Sequence, residues 1–292
     1  MLRQDSGMSY QTILENHTDF PNCLRQMKDP PGQLHWTGQP LISWLERPRV
    51  AIVGSRRVSV YGRQVTLQLA SDLAQAGVVI ISGLALGVDA LAHQGALEAG
   101  GTTVAVLPCS LDTIYPAHNE RLGKQILTQG GTLVSEYSPN MPYMNKYNFV
   151  ARNRIISGLA DAVLITEAAL DSGSLHTADF ALQQGREVLV VPGNITSPTS
   201  AGTNNLLKIG ATPVTSAQDV LQALGIAVTS IKESRTGSTP AEQTILDLMA
   251  DNIHEGDQLL QASQLPTDVF NQSLTMLEIM GKITAGGANR WY

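Results

Sequence analysis

From residue 50 onward, short apolar runs rich in β-branched residues alternate with longer stretches in which apolar residues recur at helical spacing. Strands separated by single helices pair in parallel through right-handed crossovers, so this alternation predicts a doubly wound, mainly parallel α/β sheet. The runs lack polar alternation, which indicates helices on both faces of that sheet. The predicted strands are residues 50–53, 78–81, 102–107, 132–135, 162–166, 187–191 and 211–214.

The pattern changes after residue 226. Residues 227–239 are polar, rich in Ser and Thr and without periodicity, which is typical of a linker. Three short helix-period stretches and a tail with two glycines follow within 240–292, an order that favours a small winged-helix domain. We therefore expect an N-terminal lead-in segment (1–49), a Rossmann-like domain (50–226), the linker (227–239) and a winged-helix-like domain (240–292).

Composition narrows the class of protein. The 292 residues are 43% apolar, with no uninterrupted apolar run long enough to span a membrane and no apolar stretch typical of a signal peptide among the first 20 residues. The two cysteines form no CxxC pair and are too few for a disulfide framework or a four-cysteine zinc site. A cytoplasmic protein without a metal site is expected.

The formal net charge is −6, and residues 240–292, with two basic and seven acidic side chains, supply most of it. Phosphate neutralisation dominates binding to duplex DNA, so this acidic segment should not bind a duplex. A role in protein contacts or self-association is predicted for it instead. Any nucleic-acid site must be local and must lie in the larger domain.

The loops expected at the carboxyl ends of the predicted strands are rich in Gly, Ser and Arg. Glycines let the backbone approach an anion, and arginines form forked hydrogen bonds with phosphate oxygens, so the pattern indicates a phosphate-containing ligand. Neither the GxGxxG pattern of a dinucleotide site nor the GxxxxGK[ST] pattern of a P-loop is present in the first of these loops. A nicotinamide or ATP cofactor is therefore not expected.

Aromatic residues concentrate in the same loops. Of the eleven Tyr and Phe residues of the chain, six lie there: Tyr61, Tyr115, Tyr137, Tyr143, Tyr147 and Phe149. Their mixture with Lys146, Arg152 and Arg154 suits single-stranded nucleic acid, whose bases stack on aromatic rings. Duplex DNA would hide the faces of its bases.

Five sequence blocks resemble the DNA-processing protein A (DprA/Smf) family. They are VAIVGSRRVSVYG from Val50, ISGLALGVDALAH from Ile81, FVARNRIISGLADAVLITEA from Phe149, SGSLHTADFALQQGREVLVVPG from Ser172 and GTNNLLKIGA from Gly202. The resemblance extends from about Asp19 to about Leu224. It implies a protein of natural transformation that protects incoming single-stranded DNA, helps to load the RecA recombinase, forms a homodimer and catalyses no reaction.

The resemblance also implies site residues. Arg56, Lys146 and Phe149 match the family's phosphate and base contacts, and the same pocket is expected to include Gly54, Ser55, Ser82, Gly83, Arg152 and Arg154. The chain departs from the family pattern in two places. Val150 replaces a usual Pro, and Glu120 replaces a residue that is often basic, a role for which Arg121 or Lys124 can substitute.

Simpler interpretations remain open. Arg56 could cap a helix. Arg152 and Arg154 fall on different faces of a helix, so one of them could have a purely structural role as the ion-pair partner of Glu136 or Glu167. Asp89, His93, Glu136 and Glu167 form the only plausible catalytic set, for which structural roles are favoured: a helix-cap carboxylate, a satisfied histidine and counter-ions for the arginines. The alternative function is a nucleotide-cleaving enzyme of the phosphoribohydrolase kind on the same fold.

Overall fold

The computed structural model of the chain describes residues 9–138, 145–226, 237–251, 253–283, 285–287 and 289–291. The chain divides into two compact units, Met1–Ala227 and Val228–Tyr292.

The first unit is an α/β domain. In chain order its elements are β1 (Gln11–Leu14), α1 (Asn22–Arg25), β2 (Gln33–Gly38), α2 (Ile42–Leu45), β3 (Arg49–Val53), α3 (Val60–Gln75), β4 (Val79–Ser82), α4 (Val88–Glu98), β5 (Thr103–Val106), α5 (Glu120–Thr128), β6 (Thr132–Ser135), α6 (Lys146–Leu159), β7 (Ala162–Ile165), α7 (Leu175–Gln183), β8 (Glu187–Val190), α8 (Ala201–Lys208), β9 (Thr212–Pro213) and α9 (Ala217–Ala223). Short 3₁₀ turns at Ala117–Asn119 and Pro198–Ser200 precede α5 and α8.

The strands form one sheet in the order β1-β2-β6-β5-β4-β3-β7-β8-β9. Neighbouring strands from β6 to β9 are parallel, whereas β1 pairs antiparallel with β2 and β2 pairs antiparallel with β6. The chain builds β4 to β6 outward on one side of β3 and then crosses over through α6 to place β7 on the other side. The predicted mainly parallel, doubly wound sheet is confirmed.

The sheet is buried on both faces, as its continuous apolar strands predict. In β5, Val104 and Val106 pack into the cluster that contains α6 and α7, whereas Ala105 between them packs into the cluster that contains α4 and α5. Alternate strand side chains point to opposite faces, so each strand contributes to two layers of core.

The N-terminal segment corrects the expected boundary at residue 49. Residues 11–38 supply two strands of the same sheet, and His35 of β2 pairs with Ser135 of β6. Phe20, Leu24 and Trp44 are almost fully buried in the core beneath α6. Residues 9–49 are therefore part of the α/β domain and not a separate lead-in, because their apolar side chains complete one face of its core.

The second unit contains α10 (Pro240–Ala250), α11 (Gly256–Ser263), α12 (Thr267–Ile279) and a hairpin of β10 (Ala285–Gly287) with β11 (Arg290–Trp291). Ile245, Leu259, Phe270 and Leu277 meet in its own core. The predicted winged-helix arrangement is confirmed. Of the predicted linker, residues 227–236 lie outside the described residues, and Thr239 is the N-cap of α10, accepting a hydrogen bond from Glu242 N.

Candidate functional site

A cavity of about 850 Å³ lies at the carboxyl end of the parallel strands. Its wall is formed mainly by the turn after β3, the loop after β7 and the first turns of α6, which meet where the strand order reverses beside β3. Open α/β sheets bind their ligands at this kind of switch point. The charged and aromatic residues that line the cavity are Arg56, Arg57, Asp89, Tyr115, Lys146, Phe149, Arg152, Asp171 and His176.

The turn after β3 is held in place by its backbone and by Ser55. Ser55 N donates to Glu167 O at 2.7 Å, and the Ser55 hydroxyl both donates to Arg57 O and accepts from Arg57 N. A Cβ at Gly54 would lie 2.6 Å from Glu167 O, so only glycine permits this close approach of two strand ends. The turn presents Arg56 and Arg57 as exposed side chains in the cavity.

The opposite wall begins with α6. Asn145 caps this helix by accepting a hydrogen bond from Tyr147 N, and Asn148 closes a capping box by accepting from Asn145 N. The cap fixes the start of the helix, so Lys146 and Phe149 in its first turns lie at the cavity.

The two walls meet through an aromatic cluster. The Arg56 guanidinium carbon lies 5.5 Å from the centre of the Phe149 ring, and the Tyr115 ring meets Phe149 edge to face at the same centre-to-centre distance. Lys146 Nζ lies 5.6 Å from the Tyr147 ring. Where a cation lies beside an aromatic ring, the cation can bind the phosphate of a nucleotide and the ring can stack on its base.

Arg152 lies at the buried floor of the cavity and differs from the exposed cations above it. One of its terminal nitrogens donates to Gly83 O at 2.6 Å and to Val106 O, which ties α6 to the ends of β4 and β5. Burial lowers the pKa of Arg152 to about 10, against the influence of Asp89, so the side chain stays charged at neutral pH. The guanidinium braces the cavity floor through its protein contacts.

Ser82 and Gly83 also support this floor and do not line the cavity. The Ser82 hydroxyl donates to Ile52 O at 2.6 Å, and Gly83 N donates to Asp89 Oδ2 at 3.1 Å. A Cβ at Gly83 would lie 2.6 Å from the Arg152 guanidinium. Glycine is therefore required there by the packing of Arg152.

Arg154 pairs with carboxylates outside the cavity lining, which corrects its predicted place in the pocket, and the DNA contact expected of Arg121 stays a prediction. Arg154 is buried and donates to Glu136 Oε2 at 2.7 Å and Asp29 Oδ2 at 3.1 Å, so it braces a carboxylate, as one interpretation proposed. Arg121 is exposed on α5 outside the cavity lining, while Lys124 pairs with Glu120 on the same helix at 2.6 Å. The cavity therefore contains Gly54, Ser55, Arg56, Lys146, Phe149 and Arg152 of the predicted set.

Comparison with known proteins identifies the family. Residues 11–225 match the model of DNA recombination-mediator protein A, and residues 210–289 match that of the DprA winged helix domain. The chain belongs to the DprA/Smf family.

Individual DprA/Smf proteins support the match. The chain is 39% identical to Protein Smf of Escherichia coli, covering 91% of this chain and 73% of that protein. The solved structure of DprA from Streptococcus pneumoniae is similar, with a TM-score of 0.68 and 39% identity over 73% of this chain and 74% of that one. DprA from Helicobacter pylori, which binds single-stranded DNA, gives a TM-score of 0.67 and 37% identity over 76% of this chain and 98% of that chain.

In this DprA/Smf chain, sequence reasoning missed several cavity residues. Arg57 follows Arg56 in the same turn, and Asn153 lies between the two arginines of α6, so their position beside predicted residues was the available signal. His176 lies in the first turn of α7, close to the predicted exit of β7. Of the six loop aromatics, Tyr115 and Phe149 line the cavity, and Tyr143 lies outside the described residues.

The four candidate catalytic residues each have a structural role of their own; they are Asp89, His93, Glu136 and Glu167. Burial raises the pKa of Asp89, with Arg152 opposing that effect, and lowers the pKa of His93 to about 3. Glu136 pairs with Arg154, as predicted for a counter-ion. Within the part of the chain that the structure describes, Glu167 forms no ion pair with an arginine; its oxygens accept from Ser59 N at 2.8 Å and Thr199 Oγ1 at 2.7 Å, which corrects the expected counter-ion role.

Within the described ranges, no group of three or more His, Cys, Asp or Glu side chains is arranged to hold a metal ion. None of the helices in the described part of the chain combines the length and the apolar character that a membrane span requires.

Proposed function

We propose that this chain binds single-stranded DNA in the cavity at the switch point of the sheet. The observation that carries the proposal is the placement of Arg56 against Phe149, which brings a phosphate-binding cation and a base-stacking ring together at the cavity wall. Arg57 and Lys146, which also line the cavity, add exposed positive charge.

The chemistry favours a single strand over a duplex. Stacking on Phe149 requires a base whose face is free, and a duplex offers its base edges and its backbone. The four Arg and Lys side chains of the cavity outnumber its two Asp residues, although the whole chain carries a net charge of −6. Attraction to the strand is therefore local and salt-sensitive.

The wider role that we propose is the one implied by the family resemblance. The chain would protect single-stranded DNA during natural transformation and help to load the RecA recombinase, acting in the cytoplasm as a homodimer and without catalysis. Support for a binding role comes from Glu167, whose two oxygens already accept hydrogen bonds from Ser59 and Thr199.

For the C-terminal domain we propose contacts with protein and not with duplex DNA. Its third helix, α12, contains Asp268 and Glu278 but no Lys or Arg, and it exposes Met276 and Ile279. Apolar and acidic surface of this kind is unsuited to a phosphate backbone.

Fluorescence anisotropy of a labelled oligothymidine over a salt series tests the main proposal, with the matching duplex as competitor. Tight binding that weakens with salt and that the duplex barely displaces is expected. Absence of binding at low salt would reject it. A screen of nucleotides for cleavage by the same protein would then test the phosphoribohydrolase alternative.

A further inference from the structure

Tyr61, in the first turn of α3, has an exposed ring whose hydroxyl group is anchored. The side chain is 48% exposed, and its hydroxyl donates to Pro192 O, in the loop after β8, at 3.0 Å. A surface tyrosine normally samples several rotamers, but this hydrogen bond restricts the ring to one position. Its accessible surface is therefore held in place before any ligand arrives.

The backbone beneath Tyr61 is also fixed. Ser59 caps α3 by accepting from Gly62 N, and Ser59 N donates to Glu167. Glu167 in turn accepts from Thr199, which lines the cavity. One buried carboxylate thus joins the start of α3 to the cavity wall.

The loop that anchors Tyr61 is likewise organised. Gly193 N donates to the Asn204 side chain, which donates back to Gly193 O, and Asn194 accepts from Thr196 N. The loop presents Ile195 at 92% exposure, while Val60, beside Tyr61 in sequence, is 85% exposed. Exposed apolar side chains on ordered backbone indicate a contact surface.

The charge of the two segments that meet at Tyr61, the start of α3 and the loop after β8, is suited to binding a polyanion. Residues 54–71 contain Arg56, Arg57 and Arg63 and no carboxylate, and residues 188–207 contain no charged side chain at all. Arg57 lines the cavity, four residues before Tyr61, and Arg63 is exposed two residues after it. In a chain of net charge −6, these two stretches add positive charge that attracts a phosphate backbone and contribute no carboxylate of their own.

We propose that Tyr61 is a second base-stacking platform, on which single-stranded DNA continues after leaving the cavity between Arg57 and Arg63. The inference rests on the proposed function and deepens it, because it gives the strand a direction across the start of α3 toward the loop after β8. Arg56 with Phe149 forms the first platform, and Tyr61, with Arg57 and Arg63 close to it in sequence, forms the second.

The competing explanation is that Tyr61 only ties α3 to the loop after β8. Two substitutions separate these roles. Tyr61→Phe removes the hydrogen bond to Pro192 but keeps the ring, whereas Tyr61→Ala removes both. A stacking role predicts a large loss of affinity for Ala and a small one for Phe, while a tether alone predicts that neither variant alters DNA affinity.

The experiment compares a short oligothymidine of about four nucleotides, the lower end of the usual site size of single-strand-binding domains, with one of about 20 nucleotides. Tyr61→Ala should weaken binding of the long strand about tenfold, as expected for loss of one stacked base, and leave binding of the short strand within about twofold. Ile42→Ala is the matched control, because Ile42 is an exposed apolar residue of α2, the helix that precedes β3, and does not line the cavity.

A direct contact can be sought by photocrosslinking a long strand that carries 5-iododeoxyuridine and locating the modified peptide by mass spectrometry. A crosslink at Tyr61 supports the platform. Unchanged binding of the long strand by Tyr61→Ala would overturn it, as would equal losses for both strand lengths in a variant with normal thermal stability. Failure of Arg56→Ala to weaken the short strand would instead count against the proposed function itself.

Discussion

The guanidinium of Arg56 lies over the ring of Phe149, 5.5 Å from its centre, and this contact joins two segments that are about 90 residues apart in sequence. Arg56 belongs to the turn after β3, and Phe149 to the first turns of α6. The crossover that reverses the strand order brings them together, so the topology of the sheet creates the candidate site.

Substitution of Arg56 by alanine should weaken binding of oligothymidine about tenfold or more and reduce the slope of log affinity against log salt by about 0.7, the value for one phosphate contact on a single strand. Arg56→Lys should restore most of the slope but not all of the affinity, since lysine cannot stack flat on a ring. Anisotropy over a salt series measures both quantities. Lys208→Ala is the control, because Lys208 is exposed at the end of α8 and does not line the cavity; an equal loss in that variant would contradict the assignment.

Arg152 should matter for stability more than for DNA contact. Arg152→Ala removes the donors that hold Gly83 O and Val106 O and leaves Asp89 buried without its neighbouring charge. Loss of one partner of buried charged groups costs about 3–5 kcal/mol, so the free energy of unfolding in urea should fall by that order. Arg56→Ala, an exposed substitution, should unfold at the same denaturant concentration as the unmodified protein.

Glu167 should behave as a structural carboxylate. Glu167→Ala leaves Ser59 N without an acceptor and should lower stability by about 1–3 kcal/mol. Glu167→Gln should lose less, because its amide oxygen can face Ser59 N while its amide nitrogen donates to Thr199 Oγ1. Thermal unfolding of both variants checks this order. Nucleotide cleavage that the unmodified protein performs and Glu167→Gln abolishes would contradict the structural role.

The stability of the protein should depend on pH through His93. The Thr103 hydroxyl donates to Ile80 O, so His93 Nδ1 donates to Thr103 and the buried ring is neutral. Burial lowers the pKa of His93 from 6.5 to about 3 in the folded protein, so between these values the unfolded chain binds more protons. The contribution of the neutral His93 ring to the free energy of unfolding is complete above pH 6.5. It is lost as pH falls toward 3, at up to about 1.4 kcal/mol per pH unit.

His93→Asn keeps a donor for Thr103 and cannot titrate. The difference in unfolding free energy between the unmodified protein and this variant, measured between pH 7 and pH 4, isolates the histidine from the carboxylates. A constant difference across that range would show that His93 does not titrate differently in the folded and unfolded states.

The α/β core could be predicted from the sequence because its signals are local. Apolar runs of four to six residues mark β3 to β8 closely, and the run at 50–53 became Arg49–Val53. Starts of helices depend on more than apolar spacing: α3 begins at Val60, where Ser59 caps the helix and donates from its backbone to Glu167.

The place of the N-terminal segment could not be predicted, because it depends on distant partners. The strand Gln33–Gly38 contains polar His35 and Thr37 among its apolar residues, and its neighbour in the sheet is β6. Short strands that pair over such separations carry little information within their own sequence.

The residue types of the candidate site could be predicted from the sequence, but the direction of every side chain could not. Arg152 and Arg154 of α6 were expected to face different ways, and they do. Both donate hydrogen bonds to acceptors within the protein. Which helix face meets Asp29 and Glu136 depends on tertiary packing. Arg56, Lys146 and Phe149, which line the cavity, were implied as site residues by the family resemblance, and their segments were also expected at strand exits.

The pairing of β2 with β6 also limits how much of the domain can fold while the chain is being synthesised. His35 leaves the ribosome about 100 residues before its partner Ser135, so β2 and the neighbouring Trp36 must wait for the middle of the domain to be translated. Until then, apolar side chains such as Leu34 and Trp44, which are fully buried in the finished domain, have no complete core to enter. We therefore expect the central strands β3 to β5 to associate first and the N-terminal segment to close the sheet late in folding.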